Sequence, residues 1–429
     1  MTNLQSSLPM ESTLQPTDNH RPTGRVHYGF VIVACCCLIM GIDVGLVFSC
    51  AGIFYDPVSK ALGVPIGEFG LYMSISYVAS TLMLPLAGRM IERYGSRRLL
   101  TLNSLILGLT VCSMGLFSSV WGFYAAGVVM GVTLAFLLYL SFPILVNAWF
   151  RTKVGLMIGI CSAASGIGGM LFNPMGGAII SSWGWRAAYL TFGGMILLIV
   201  TPIIGILLRD RPEDKGLNPF GYTEEAKAGG GSQESEGMDY SKAVRTAAFY
   251  AVLLFAFIMM GVSTLNLFIP KYISNAGFSE VEASLAAAAV MAGVTGGKLL
   301  LGAINDRNCL YGVLTCTLFG VAGIVLLLTG GSTLWILLGG CFLFGWEYAG
   351  VTVQTAMLTG HAFGKKHYTR IYALISIALA AGGALASGGG GLLADATSFR
   401  KVFITGGVIL SIGFLLGLFA YFRGGDSRR

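Results

Sequence analysis

GRMIERYGSRR (88–98) ends one apolar segment and begins the next. At an offset of 214 residues its opening returns as GAINDR (302–307): Gly88 falls on Gly302, Glu92 on Asp306 and Arg93 on Arg307. The same offset places Phe54 on Phe268, Gly63 on Gly277 and Gly131 on Gly345. Gly168, Gly169, Gly176 and Gly177 fall on Gly382, Gly383, Gly390 and Gly391, while Arg186 falls on Arg400 and Tyr189 on Phe403. Glycine is 61 of 429 residues, so chance accounts for some glycine matches. It does not readily place a Gly-x-x-x-acid-Arg element and an aromatic-Arg-x-x-aromatic element at one offset. The chain is written twice.

The residues are 55% hydrophobic and 11% charged, with a mean hydropathy of +0.76. A soluble domain carries about 25% charged residues. Low charge and repeated apolar runs of about 20 residues define a polytopic, all-α membrane protein. Twelve spans are expected, at roughly 28–51, 69–90, 99–118, 121–146, 154–179 and 185–208, then 247–270, 281–304, 310–329, 332–358, 368–393 and 400–422. They form two six-helix halves, 28–208 and 247–423. The halves are flanked by a polar tail 1–27, a Gly/Ser/Glu/Lys-rich linker 209–246 and a short tail 424–429. Residues 1–27 lack the apolar core and cleavage site of a signal peptide. Cys35, Cys36 and Cys37 sit in the first apolar run without metal-ligand spacing, as small lipid- or core-facing residues.

The net charge of +7 follows from topology and implies no nucleic-acid partner. Of the 27 Lys and Arg residues, only Lys60, Arg186, Lys271, Arg400 and Lys401 fall on one side, and Lys298 falls within a span. The other 21 fall on the side of both termini. Basic loops stay in the cytoplasm, so both termini are expected there, with the chain in a bacterial inner or plasma membrane.

GRMIERYGSRR resembles the loop 2–3 signature of the major facilitator superfamily, Gly-x-x-x-Asp-Arg-x-Gly-x-Arg/Lys-Arg/Lys. It matches at Gly88, Arg93, Gly95, Arg97 and Arg98, with Glu92 in place of Asp. AGIFYDPVSKALG (51–63), NAWFRTKVGLMIGI (147–160), GWRAAYL (184–190), GGKLLLGAINDR (296–307) and KKHYTRIYALI (365–375) resemble the bacterial monocarboxylate-transporter-like branch, related to oxalate/formate antiporters. The resemblance implies two parallel repeats around a central cavity and alternating access, with no cofactor and no catalysis. It implies gating roles for Gly88, Glu92, Arg93, Gly95, Arg97 and Arg98, and for Gly302, Asp306 and Arg307 in the second copy. For Arg97 and Arg98, plain anchoring at the membrane surface is an equal alternative. Asn173-Pro174-Met175-Gly176-Gly177 departs from the Gly-Pro-x-x-Gly-Gly of drug-exporting branches.

Three ionisable residues lie deep in spans: Asp43, Lys298 and Glu347. At 1.5 Å per residue they sit roughly 20, 9 and 15 Å from the cytoplasmic ends of spans 1, 8 and 10. A charge in hydrocarbon marks a functional site by default. In the monocarboxylate branch the position of Lys298 carries a cation, usually Arg, that holds the substrate carboxylate. Lys keeps the charge without the bidentate fork. The alternative for Lys298 is snorkelling to the interface. Asp43 and Glu347 serve proton coupling or structural pairing, and Glu347 is expected to pair with Lys298 in the empty site. Tyr139, Asn266 and Tyr372 are expected to bind substrate, with Tyr77, Asn147 and Gln354 as further cavity candidates; for each alone, ordinary helix–helix hydrogen bonding is at least an equal alternative.

The function expected is a secondary transporter of a small monocarboxylate or related organic anion, proton-coupled and working as a monomer. An efflux transporter for an amphipathic or cationic compound is the alternative, because Asp43, Glu347 and Trp346 would suit a cation. A non-transporting membrane sensor on the same fold ranks third.

Overall fold

The computed structural model describes residues 27–222, 237–364 and 366–426, and these are helical almost throughout. Residues 1–26 of the expected tail 1–27, the linker centre 223–236, Lys365 and residues 427–429 lie outside the described residues. Among the described residues, ten helices are long and apolar enough to cross a bilayer. One of them, Val154–Leu207, has 54 residues. That is about 80 Å at 1.5 Å per residue, enough for two crossings. It turns at Gly184 (φ +82°) and is spans 5 and 6 together. Span 3 is Ser96–Met114, with Arg97 and Arg98 in its first turn. Twelve crossings result among the described residues, and the chain is a multi-pass membrane protein.

The breaks have local causes. Spans 1 and 7 do not stop where the apolar pattern predicts, near 51 and 270. Span 1 runs Tyr28–Leu38 and widens to a π-helix over Ile39–Ser49. It kinks at Cys50 and Ala51 and continues as Gly52–Leu62. Span 7 runs Ala247–Ser263, tightens to a 3₁₀ turn at Thr264–Leu267 and continues as Ile269–Asn275. The two kinks are 214 residues apart, and both extensions end at a glycine of positive φ, Gly63 (+67°) and Gly277 (+96°). Only glycine enters that region without steric cost. In span 4 a π stretch, Ala135–Leu140, precedes Pro143. In span 6 another, Ile196–Val200, precedes Pro202. A proline has no N–H for the preceding turn and crowds it, which widens the helix there.

The halves meet along spans 5 (from Val154) and 8 (Glu280–Arg307), and along spans 2 (Ile66–Tyr94) and 11 (Tyr368–Ala396). The end of the bundle with Arg93, Arg97 and Arg98 is the basic face; the other is the far face. Both described ends of the linker are docked at the basic face. Phe220 exchanges backbone hydrogen bonds with Trp149 and Arg151 (2.8 and 2.9 Å), and the Met238 amide donates to the Phe363 carbonyl (2.9 Å). The bridges Phe150–Phe220 and Gly237–Gly364 fall on loops one repeat apart. The linker is thus anchored at its ends, where composition alone reads as freely solvated.

Candidate functional site

Span 5 presents Gly155, Gly159, Ser162, Gly166 and Gly169 on one face, three or four residues apart, with Gly177 about two turns further on. Toward the far face this stripe is pressed onto span 8. A Cβ on Gly166 would strike Thr295 Oγ1, one on Gly169 would meet Met291 Cγ at 2.5 Å, and one on Gly177 would meet Ser284 Cβ at 2.5 Å. Toward the basic face the stripe parts. A Cβ on Gly155, Gly159 or, across the gap, Gly302 would meet nothing within 4 Å. Spans 2 and 11 repeat the pattern. Gly67 abuts Gly391, Ser74 Oγ meets Ser387 Oγ at 2.8 Å, and Tyr77 packs against Gly383. Three turns further on, Gly88 again faces open space.

The far face is closed by charge as well. The Lys271 ammonium meets the Asp56 carboxylate at 2.5 Å across the halves, and Lys60 adds a second contact at 2.8 Å. On the other side of the bundle the Gly67 amide donates to Asp395 Oδ2 at 2.6 Å. Asp395 lies at the end of span 11 and caps the first turn of span 2, where the helix dipole favours an anion.

Lys298 sits where spans 5 and 8 begin to part. It is half-buried, and its ammonium donates to the Ser162 carbonyl and to Ser165 Oγ, both at 3.1 Å and both in the opposite half. The expected pair with Glu347 is not formed. Glu347 is fully buried, but its side chain turns away from span 8 toward Gly320 and Cys316 of span 9 and Leu410 of span 12. The reason is helical phase. Gly345, Trp346 and Ala349 are the span 10 residues that face Gly293 and Gly297 of span 8. Asp43 is equally buried and turned inward to its own half, beside Ser104 of span 3. None of the four carboxylate oxygens of Asp43 and Glu347 has a hydrogen-bond partner among the described residues.

Opposite spans 5 and 8 the interface is lined with tyrosines. Tyr77 (span 2) packs on Phe48 with ring centroids 5.3 Å apart and lies beside Tyr139 (span 4) and Tyr348 (span 10). Tyr139 is exposed to the gap beside Ser80 and Tyr372, and Tyr372 stacks on Tyr368 at 5.5 Å. Tyr139 and Tyr372 therefore lie near each other across the halves. Asn266 lies elsewhere, buried in the kink of span 7 with no partner for its Oδ1 among the described residues. Gln354 is a packing residue, corrected from the cavity: Asn305 Nδ2 donates to its Oε1 at 2.9 Å, and its Nε2 donates to the Cys309 carbonyl at 3.2 Å. Asn147 turns back on the Pro143 carbonyl at 2.7 Å.

In the signature loop the residues divide. Glu92, Arg93 and Arg98 are exposed at the mouth of the gap, as are Asp306 and Arg307 of the second copy. Arg97 is committed within its own half: its guanidinium donates twice to the Gly205 carbonyl (2.6 and 2.9 Å) and its amide donates to Asp210 (2.7 Å). Gly95 (φ +84°) makes the turn and sits against Asp210, leaving no room for a side chain. Arg97 thus ties span 3 to span 6 in this conformation and is not a latch to the other half. Ser162, Ser165, Tyr348 and Asp395 carry no signal in the sequence that separates them from ordinary helix residues.

The sequence model described as Major Facilitator Superfamily matches residues 33–360 and 252–428. Monocarboxylate transporter 4 of Gallus gallus is 26% identical over 60% of this chain, and the match spans about half of that protein (53%). The uncharacterized MFS-type transporter YhjX of Escherichia coli is 23% identical over 77% of this chain and 80% of its own. Among solved structures, a bacterial homolog of the human lysosomal transporter Spinster, in an inward-facing and unoccupied conformation, superposes with a TM-score of 0.70. It is 17% identical and covers 95% of this chain and 99% of its own.

Proposed function

The chain belongs to the major facilitator superfamily, and we propose that it is a secondary active transporter of a small monocarboxylate or related organic anion, coupled to protons. One observation carries this reading. Lys298 lies between the halves at the apex of the gap, and among the described residues no carboxylate lies within ion-pair distance of it. A half-buried ammonium between the halves, without a counter-charge among the described residues, is an anion site waiting for its anion. The name of the Gallus gallus relative, a monocarboxylate transporter, supports the same class. Tyr139 and Tyr372 offer hydroxyls on the opposite wall for the rest of the substrate.

Reaction here means rocking. With the basic face in the cytoplasm, the gap opens inward and the far face is sealed by Asp56–Lys271 and Asp395. Closing the gap brings the faces of Gly88 and Gly302 against the opposite half, and the far-face contacts must release. Glu92, Arg93, Asp306 and Arg307 then become the latch on the closing side. Asp43 and Glu347 are the proton candidates: both are buried carboxyls without a counter-charge, and both lie behind the cavity. That placement disfavours the cationic-efflux reading, because neither acid faces the gap where a cation would sit. The test is binding or uptake of a carboxylate panel by wild type and Lys298→Ala. Undiminished binding in the variant overturns the assignment.

A further inference from the structure

We infer that Ser165 is a positioning residue that competes with the substrate for Lys298, so that carboxylate binding releases a tie between the two halves. The inference rests on the anion reading of Lys298.

The geometry is specific. Ser165 Oγ donates to the Ser162 carbonyl at 2.9 Å, and that carbonyl also receives the Lys298 ammonium at 3.1 Å. The hydroxyl proton of Ser165 is therefore committed, and its lone pairs are left to face Lys298 Nζ, also at 3.1 Å. An ammonium has three donors and a hydroxyl can both give and accept. Two of the three Lys298 donors are taken up by neutral acceptors on span 5. Ser165 is 7% exposed, so little water competes for it.

This tie is where the packed part of the 5/8 interface ends. Gly166, Gly169 and Gly177 are in contact with span 8 above it, and Gly155, Gly159 and Gly302 face open space below it. A shift of span 8 away from span 5 at this level breaks the Lys298 contacts. A carboxylate makes charge-assisted hydrogen bonds, roughly twice as strong as those to neutral oxygens. A carboxylate that engages two of the three donors displaces at least one of the two serine contacts, and the empty protein gives up that contact to bind. The same serine also touches the span 1 kink: Ser49 Oγ donates to the Ser165 carbonyl at 3.3 Å, and Asn173 Nδ2 donates to the Ser49 carbonyl at 3.1 Å.

Removing the competitor should tighten binding. The purified full chain is titrated with formate, lactate, pyruvate and benzoate, and the tightest binder is carried to Ser165→Ala, Ser165→Thr and Lys298→Ala. Ser165→Ala is expected to bind about three- to tenfold tighter, the worth of one hydrogen bond lost from the empty state. Ser165→Thr, which keeps a hydroxyl, is expected to bind as wild type does. A merely damaged fold would not bind tighter. If Lys298→Ala loses binding but Ser165→Ala is unchanged or weaker, the tie is wrong while the anion site stands. If Lys298→Ala binds undiminished, or no acid of the panel binds, the anion reading fails and the tie fails with it.

Discussion

Asp56 of the first half and Lys271 of the second meet at 2.5 Å on the far face, at 16% and 17% side-chain exposure, each on the helix that follows the kink in span 1 or span 7. Lys60, one turn from Asp56, is a second partner at 2.8 Å, and Glu280 lines the same recess. The pair closes the side of the molecule opposite the gap. Its breakage is a condition for the far face to open.

Asp56→Asn should therefore favour the far-face-open state. A pair of this exposure is worth about 1–2 kcal/mol, between the exposed and buried limits, or roughly tenfold in population. Hydrogen exchange of the Gly52–Leu62 amides should rise accordingly. Unchanged exchange would remove the pair from the gate.

The pH dependence of that gate follows from Asp56 itself. Burial pushes its carboxyl up, but hydrogen bonds and charge from Lys271 and Lys60 outweigh burial and hold it below the usual value. A depressed pKa stabilises the paired, closed state above the ordinary carboxylate value of about 4. That contribution is lost as pH falls through the depressed value. The difference in exchange between wild type and Asp56→Asn should be flat from about pH 5 to 8 and shrink below about pH 4. A difference that changes between pH 6 and 8 would assign the control to another group.

Gly88 and Gly302 face open space on stripes that are packed against the opposite half farther along. Leu at either position fits the present conformation and should obstruct closure of the basic face. Transport should fall about tenfold or more with binding retained, because overpacking of a close helix contact costs about 1–3 kcal/mol. Full transport by both variants would show that these faces never meet.

Glu347→Gln keeps shape and removes the ionisable group from behind the cavity. If Glu347 carries the proton, the variant should exchange substrate across the membrane but no longer respond to a pH gradient. Full pH-driven uptake would exclude Glu347 and leave Asp43, to be tested as Asp43→Asn.

The repeat made most of the fold legible. An offset of 214 and a run of apolar segments placed twelve crossings, and Lys298 was found because a cation within an apolar run is rare. What the pattern hid was phase and partnership. Hydropathy gives the depth of Glu347 but not which face of span 10 it occupies, so its expected pairing with Lys298 was wrong for this conformation. The kinks at 50–51 and 264–267 sit inside apolar sequence, where nothing in composition marks a turn. Ser165 became visible only when span 5 and span 8 were set side by side, because a serine in a helix ordinarily bonds back to its own turn. Arg97 reads as a gating residue in the signature, yet its donors go to the end of span 6.

The central claim is that Lys298 is the anion site. Its most direct test is equilibrium binding of the carboxylate panel to wild type, Lys298→Ala and Lys298→Arg. The claim predicts that Lys298→Ala weakens the best ligand about tenfold or more, the worth of a charge-assisted contact. Lys298→Arg, with its bidentate fork, should retain binding. Equal affinity in wild type and Lys298→Ala would contradict it.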